Sequence, residues 1–427
     1  MTDAIDENGA SCSSAQAGKI WRAATSVPVL TLILLVVLDL VLRQGNFVDA
    51  MGFHTADVWG LPGRLELCKR TSPDVALVGS SLLLVLNQDE QGRHFYSGVY
   101  PPHLQELISR STGKPVTCIN LCTGLQMPSE TYLIAEAIMR DKNHPAVMIL
   151  GIALRDFIHD QYALEWSCDS FASIAPHVPL SLSVLSQMSS ATAVRELVLC
   201  HFWYLYRDRI DFKSVLSAWA KNSLELLPLD MPYPRLGFDH TWRPQRRGFL
   251  QETWVPRQQE EFTEEIYRTR PQFLKRFFRN MQAGIYRQGS ESTMRLQTHY
   301  LEALIRLCQD RDVQLVVVNM PLSPEFQGLV PPGLYDTFRR FLRYFASFPN
   351  VAVIDFYNEP EFGDDAFKDG VHLSYPGARR FAEKLSQKLA AEYPAVLEAI
   401  AAHAQARQAL AGSDRLEAPY RKQPASQ

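Results

Sequence analysis

Several common chemistries have nothing to work with in this 427-residue chain. Its seven cysteines (Cys12, Cys68, Cys118, Cys122, Cys168, Cys200 and Cys308) include no CxxC pair. That excludes a zinc ribbon or finger and a dense disulfide framework. One or two bridges stay open, and the odd count leaves at least one thiol unpaired. No P-loop lysine motif and no dinucleotide glycine fingerprint occurs, so no nucleotide or metal cofactor is expected. With 43 Lys and Arg against 46 Asp and Glu, the net charge of −3 lacks the basic excess of a nucleic-acid binder. What the chain does have is ordinary apolar content, 46%, enough for a sizeable core.

Long apolar runs are scarce, and only one stands out. From Ser26 to Arg43 the chain reads SVPVLTLILLVVLDLVLR. About 17 helical residues cover roughly 25 Å, at the short end for a hydrocarbon core of about 30 Å. A signal peptide would have a shorter apolar region and an A-x-A-like site, and none follows Arg43. A buried soluble helix would sit among other core elements, not between a polar tail and basic flanks. The expectation is a transmembrane anchor over 26–43, preceded by a disordered tail over 1–25. Lys19 and Arg22 favour a cytoplasmic tail and an extracytoplasmic (periplasmic or extracellular) body, although Arg43 and Arg64 pull the other way. Asp39 has two readings: it snorkels to the interface, or it meets a polar group on a partner membrane protein.

Five short apolar runs follow: Val75–Val78, Cys118–Leu121, Val147–Ile152, Val313–Asn319 and Val351–Phe356. Amphipathic stretches at helical spacing, such as Ser129–Arg140 and Thr293–Asp310, separate them. Strands alternating with helices predict an α/β fold, a three-layer α/β/α sandwich around a five-stranded parallel sheet. The gap between the third and fourth runs is too long for a crossover, so 161–290 reads as a large, mostly helical insertion. The α/β domain is thus split into 44–160 and 291–400, and 401–427 reads as a disordered tail. Within the insertion, 234–247 mixes basic and aromatic side chains. It is either a solvated loop or a lid for an anionic or sugar-like acceptor.

Chemistry concentrates at two places. Gly79 ends the first strand and turns the chain into Ser80 and Ser81, where open α/β sheets place their ligands. Near the other end, Asp369 and His372 lie on a loop before a helix marked by Pro376, Ala378, Phe381, Ala382 and Leu385. Two intervening residues let the carboxylate reach one imidazole nitrogen and leave the other for a hydroxyl. Using Gly79-Ser-Ser as a phosphate turn is disfavoured, because the P-loop lysine is missing.

Gly79-Ser-Ser-Leu82 resembles the first block of the SGNH (GDSL-type) hydrolases, with Ser80 replacing the usual Asp. Asp369-Gly-Val-His372 resembles their last block. The resemblance covers roughly 73–158 and 313–389. It implies a flavodoxin-like fold and a catalytic triad of Ser81, His372 and Asp369, with oxyanion donors from the Ser81 and Gly124 backbone. Asn120-Leu-Cys-Thr-Gly124 is similar to the second block. Gly151-Ile-Ala-Leu-Arg-Asp156 departs from the third, Ala153 standing in the asparagine slot. Losing one such donor typically costs 10²–10³ in rate. Arg155 is a substitute donor, a clamp for a charged acceptor, or an ion-pair partner of Asp156. Ser80, Asn120, Arg155 and Asp156 are the substrate-binding candidates.

The anchor and these departures resemble the branch that assists O-acylation of cell-surface polymers, such as the teichoic-acid D-alanylation protein. That branch implies a membrane-anchored, extracytoplasmic acyltransferase or esterase acting in O-acylation (acetylation) of a polysaccharide. It also implies an acyl donor, a polysaccharide or lipid-linked acceptor, and a membrane-bound O-acyltransferase as partner. Two alternatives remain: an envelope carboxylesterase or lipase using water, and a non-catalytic glycan- or partner-binding assembly protein.

Overall fold

A computed structural model describes residues 26–44, 60–88, 98–139, 144–160, 164–168, 170–209 and 271–416. The basic-aromatic stretch 234–247 and the tail over 1–25 lie outside these residues. The described chain divides into two compact units. One contains the apolar helix α1 (Val27–Gln44) and residues 202–209; the other contains the sheet and the site.

In chain order the second unit runs α2 (Leu61–Thr71), β1 (Val75–Gly79), α3 (Ser81–Leu84), α4 (Pro102–Thr112), β2 (Cys118–Asn120), α5 (Pro128–Ile138), β3 (Val147–Ile152) and α6 (Arg155–Ile158). Helices over Phe171–Ile174, Leu182–Gln187 and Ala191–Phe202 follow, and α7 (Tyr204–Arg207) lies in the first unit. The second then continues with α8 (Pro271–Gln288), α9 (Glu291–Asp310), β4 (Gln314–Asn319), α10 (Pro332–Phe345), β5 (Val351–Asp355), α11 (Tyr375–Glu392) and α12 (Pro394–Leu416).

All five strands are parallel, in the order β2-β1-β3-β4-β5. Each of the five apolar runs became a strand. Strands buried on both faces explain why the runs are continuous rather than alternating. Val75, Leu77, Val147 and Ile149 join one core cluster with Leu104 and Ile108 of α4 and Phe381 and Leu385 of α11. The intervening Ala76, Val78, Met148 and Leu150 are equally buried, so helices cover both faces of the sheet. Local signals set the helix ends. Ser290 and Ser374 cap α9 and α11 by accepting from Thr293 N–H at 3.2 Å and Gly377 N–H at 3.3 Å. Among the described residues, 164–209 and 271–290 of the insertion form helices and turns with no strand.

The tail expected to be disordered from 401 is instead helical through Leu416. Over 401–410 only the small Ala404 is buried, which leaves a faint hydrophobic pattern. A polar clasp adds to it. His403 Nδ1 lies 2.8 Å from Asp74 Oδ1, and Arg407 Nη2 donates to Asp74 Oδ2 at 2.8 Å, at the foot of β1.

In the first unit, α1 is long and apolar enough to cross a membrane. Neither reading of Asp39 matches what surrounds it. Asp39 is 6% exposed, accepting from Leu205 N–H at 2.7 Å and pairing with Arg43 at 3.2 Å. A buried carboxylate needs such partners, and here the chain itself supplies them. The six described cysteines are buried, and burial pushes the Cys68 thiol up to about 12.

Candidate active site

The carboxyl edge of the sheet brings the two sequence motifs together. Gly79 pairs with Gly151 across β1 and β3 and has φ +129°. A Cβ there would stand 2.4 Å from the Gly151 carbonyl oxygen, so only glycine allows this turn beside this neighbour. The chain then enters α3 with Ser81 at its first position. The order β2-β1-β3 makes the edge between β1 and β3 the switch point, where successive crossovers diverge and leave a crevice.

Asp369 and His372 are held by a tight loop after β5. Asp369 Oδ1 accepts from Val371 N–H at 2.9 Å and His372 N–H at 2.8 Å. Gly370, at φ +90°, makes the turn, and Lys368 N–H closes it onto the His372 carbonyl at 2.8 Å. The second carboxylate oxygen, Oδ2, is thereby aimed at His372 Nδ1, 2.8 Å away. On the far side of the ring, Nε2 lies 2.9 Å from Ser81 Oγ. Ser81 and His372 are each 7% exposed, and Asp369 is 1% exposed. In the tautomer with the proton on Nδ1, His372 donates to Asp369 and accepts the Ser81 hydroxyl proton.

Gly124 follows Thr123, whose N–H donates to the Gly79 carbonyl at 3.1 Å, which pins the loop beside the end of β1. The Ser81 and Gly124 N–H groups have no intramolecular acceptor among the described residues. Asn120 is a strut. It is fully buried, its amide nitrogen donates to Leu83 O and Asn87 Oδ1, and its oxygen accepts from Cys122 N–H. Those bonds use its polar atoms internally, so substrate contact is not its role in this arrangement. Ser80 is also fully buried, with its hydroxyl unpartnered.

Arg155 and Asp156 open α6, just past the end of β3. Asp156 Oδ2 accepts from Ala153 N–H at 2.8 Å, which shapes the turn after β3. Arg155 is 3% exposed; its Nε sits 3.5 Å from Asp156 Oδ1, and its Nε and Nη2 make no hydrogen bond. Burial pushes the Asp156 carboxyl up to about 6, against the pull of the Arg155 charge and the Ala153 N–H.

Phe278 of α8 is the site residue that sequence reasoning missed. Its ring meets the His372 imidazole edge-on, with centroids 5.2 Å apart and planes at 75°. Lys275 and Arg279 fasten the same helix to Glu325, at 2.6 and 3.6 Å. The amphipathic pattern of Pro271–Gln288 signals a helix with a buried side, but nothing in it says which partner that side meets. Among the described residues, no group of three His, Cys, Asp or Glu side chains could hold a metal.

One family model, of uncharacterised proteins, matches residues 260–393. That stretch holds Asp369, His372 and Phe278, and Ser81 lies outside it. No curated protein matches the chain.

Proposed function

We propose that this chain is an SGNH-type serine acyl-transfer enzyme, anchored by α1 with its α/β unit outside the membrane. The observation that carries the proposal is the unbroken hydrogen-bonded series Ser81–His372–Asp369 at the carboxyl edge of a parallel sheet. Ser81 Oγ attacks an ester or thioester carbonyl while His372 Nε2 takes its proton. The tetrahedral oxyanion is met by the Ser81 and Gly124 N–H groups. The bond to the leaving oxygen or sulfur then breaks, and His372 returns the proton to it. In the second half, an acceptor hydroxyl gives its proton to His372 and bonds to the acyl carbon; the bond from that carbon to Ser81 Oγ then breaks, and His372 passes the proton to Oγ.

Low exposure favours transfer over hydrolysis. A Ser81 and a His372 that are 7% exposed, the latter covered by Phe278, slow the entry of bulk water to an acyl-serine. An ordered acceptor, such as a cell-surface polysaccharide hydroxyl, then has time to react. The buried Arg155 cation near the same strand edge supports an acceptor that carries negative charge. A membrane-bound O-acyltransferase supplying the acyl group fits this reading as a partner. The test is fluorophosphonate treatment of the full-length protein, with the adduct located by peptide mass spectrometry. An adduct on Ser81 that is lost in Ser81→Ala and His372→Ala supports the proposal. A folded protein that stays unmodified rejects it.

A further inference from the structure

The one buried residue of α1 is its one acid. Elsewhere the helix exposes Val27, Leu30, Leu34, Val37, Leu40 and Val41, as a span facing lipid would. Its 18 residues give a rod of about 27 Å, so nearly all of it is needed to cross a hydrocarbon core of about 30 Å. Asp39 lies five residues before the carboxyl end, Gln44, which is about 8 Å down the rod. An uncovered carboxylate at that depth is costly. Leu205 N–H reaches it at 2.7 Å, and Arg43, besides pairing with Asp39, donates to the Phe202 carbonyl. The backbone of residues 202–205 is therefore held at the depth of Asp39, below the end of the span.

The sequence brought to that depth is Phe202-Trp-Tyr-Leu-Tyr-Arg-Asp-Arg209. Four aromatic residues and a leucine precede Arg207, Asp208 and Arg209, a composition suited to a membrane interface; Tyr204 is buried and Trp203 and Tyr206 are half-buried. Phe202 is 61% exposed. The guanidinium groups of Arg207 and Arg209 lie over the rings of Tyr204 and Tyr206, 4.9 and 4.2 Å from their centroids. Arg207 pairs with Asp208 through two hydrogen bonds, at 2.6 and 2.8 Å, and Arg209, the last and most exposed of the three, suits the phosphate level.

We infer that residues 202–209 form a second membrane contact, a wedge seated at the headgroup–acyl boundary of a phospholipid bilayer and locked to the anchor by Asp39. The chain thus returns to the membrane about 160 residues after leaving it, and the insertion is tethered at a point of its own. This rests on α1 being membrane-spanning, and the test separates the two.

Full-length protein carrying Phe202→Cys or Leu34→Cys would be nitroxide-labelled and placed in phosphatidylcholine–phosphatidylglycerol vesicles. The unsubstituted chain, treated alike, gives the background. Collisions with oxygen, which dissolves in lipid, would be compared with those of a water-soluble nickel chelate. Both labels are expected to favour oxygen, the Phe202 label at a shallower depth. A Leu34 label exposed to the chelate would remove the anchor itself. A Leu34 label in lipid beside a Phe202 label in water, or one shielded from both reagents by protein, would overturn the wedge. Adding Asp39→Leu is expected to shift the Phe202 label toward water and leave Leu34 in lipid; an unmoved label would overturn the lock.

Discussion

Replacing Asp369 by Asn tests the triad with little change of shape. One oxygen can still accept from the Val371 and His372 N–H groups, so the loop keeps both backbone bonds. The new amide NH2 then faces His372 Nδ1 at the 2.8 Å position of Oδ2, where a donor must meet an acceptor. Nδ1 gives up its proton, Nε2 carries it instead, and a donor now points at Ser81 Oγ, 2.9 Å away. The base is lost while every heavy atom stays close to its place. In a serine triad the wrong tautomer lowers the rate about 10⁴-fold. That corresponds to a barrier higher by about 5 kcal/mol. The assay is the second-order rate of fluorophosphonate modification of Ser81, with thermal unfolding run beside it to confirm that the variant folds as the parent does. A folded Asp369→Asn protein that reacts within about tenfold of the parent would refute the tautomer argument.

Three other outcomes follow from the same geometry. Gly79→Ala would drive a Cβ into the Gly151 carbonyl at a φ suited to glycine, and should cost at least about 4 kcal/mol, seen as loss of soluble folded protein; near-normal yield and melting would contradict it. Asp74→Ala breaks the clasp to His403, Arg407 and Thr117 N–H and should cost about 3 kcal/mol in denaturant unfolding. Burial alone would raise that carboxyl, but those hydrogen bonds outweigh it and hold it low. Its contribution is therefore present above the ordinary value of 3.8 and fades as pH falls through the lower folded value, so parent and variant should converge in acid. Asp156 has the opposite sign: raised from 3.8 to about 6, it contributes stability that is full below 3.8 and lost as pH rises through about 6. Unfolding curves of the parent minus Asp156→Asn across that window should slope downward with pH, and a flat difference would show that the carboxyl is not shifted.

The sequence by itself determined the sheet and the two ends of the triad. Five short apolar runs that do not alternate, each separated from the next by longer stretches, point to strands of a sheet covered on both faces. Gly79 before Ser80-Ser81, and Asp369 three residues from His372, carry their geometry locally, through a glycine-only turn and a carboxylate that binds its own loop. Tertiary structure decided what local pattern could not. Ser81 and His372 are 291 residues apart and meet only because β1 and the loop after β5 share one edge of the sheet. Phe278 reaches the imidazole through the docking of α8, a contact between helix and loop with no periodicity to betray it. The tail that reads as polar from 401 is helical through Leu416, with Ala404 buried and His403 and Arg407 meeting Asp74. Asp39 shows the same limit: a lone acid in an apolar run states that a partner is needed, and only the fold brings Leu205 to it.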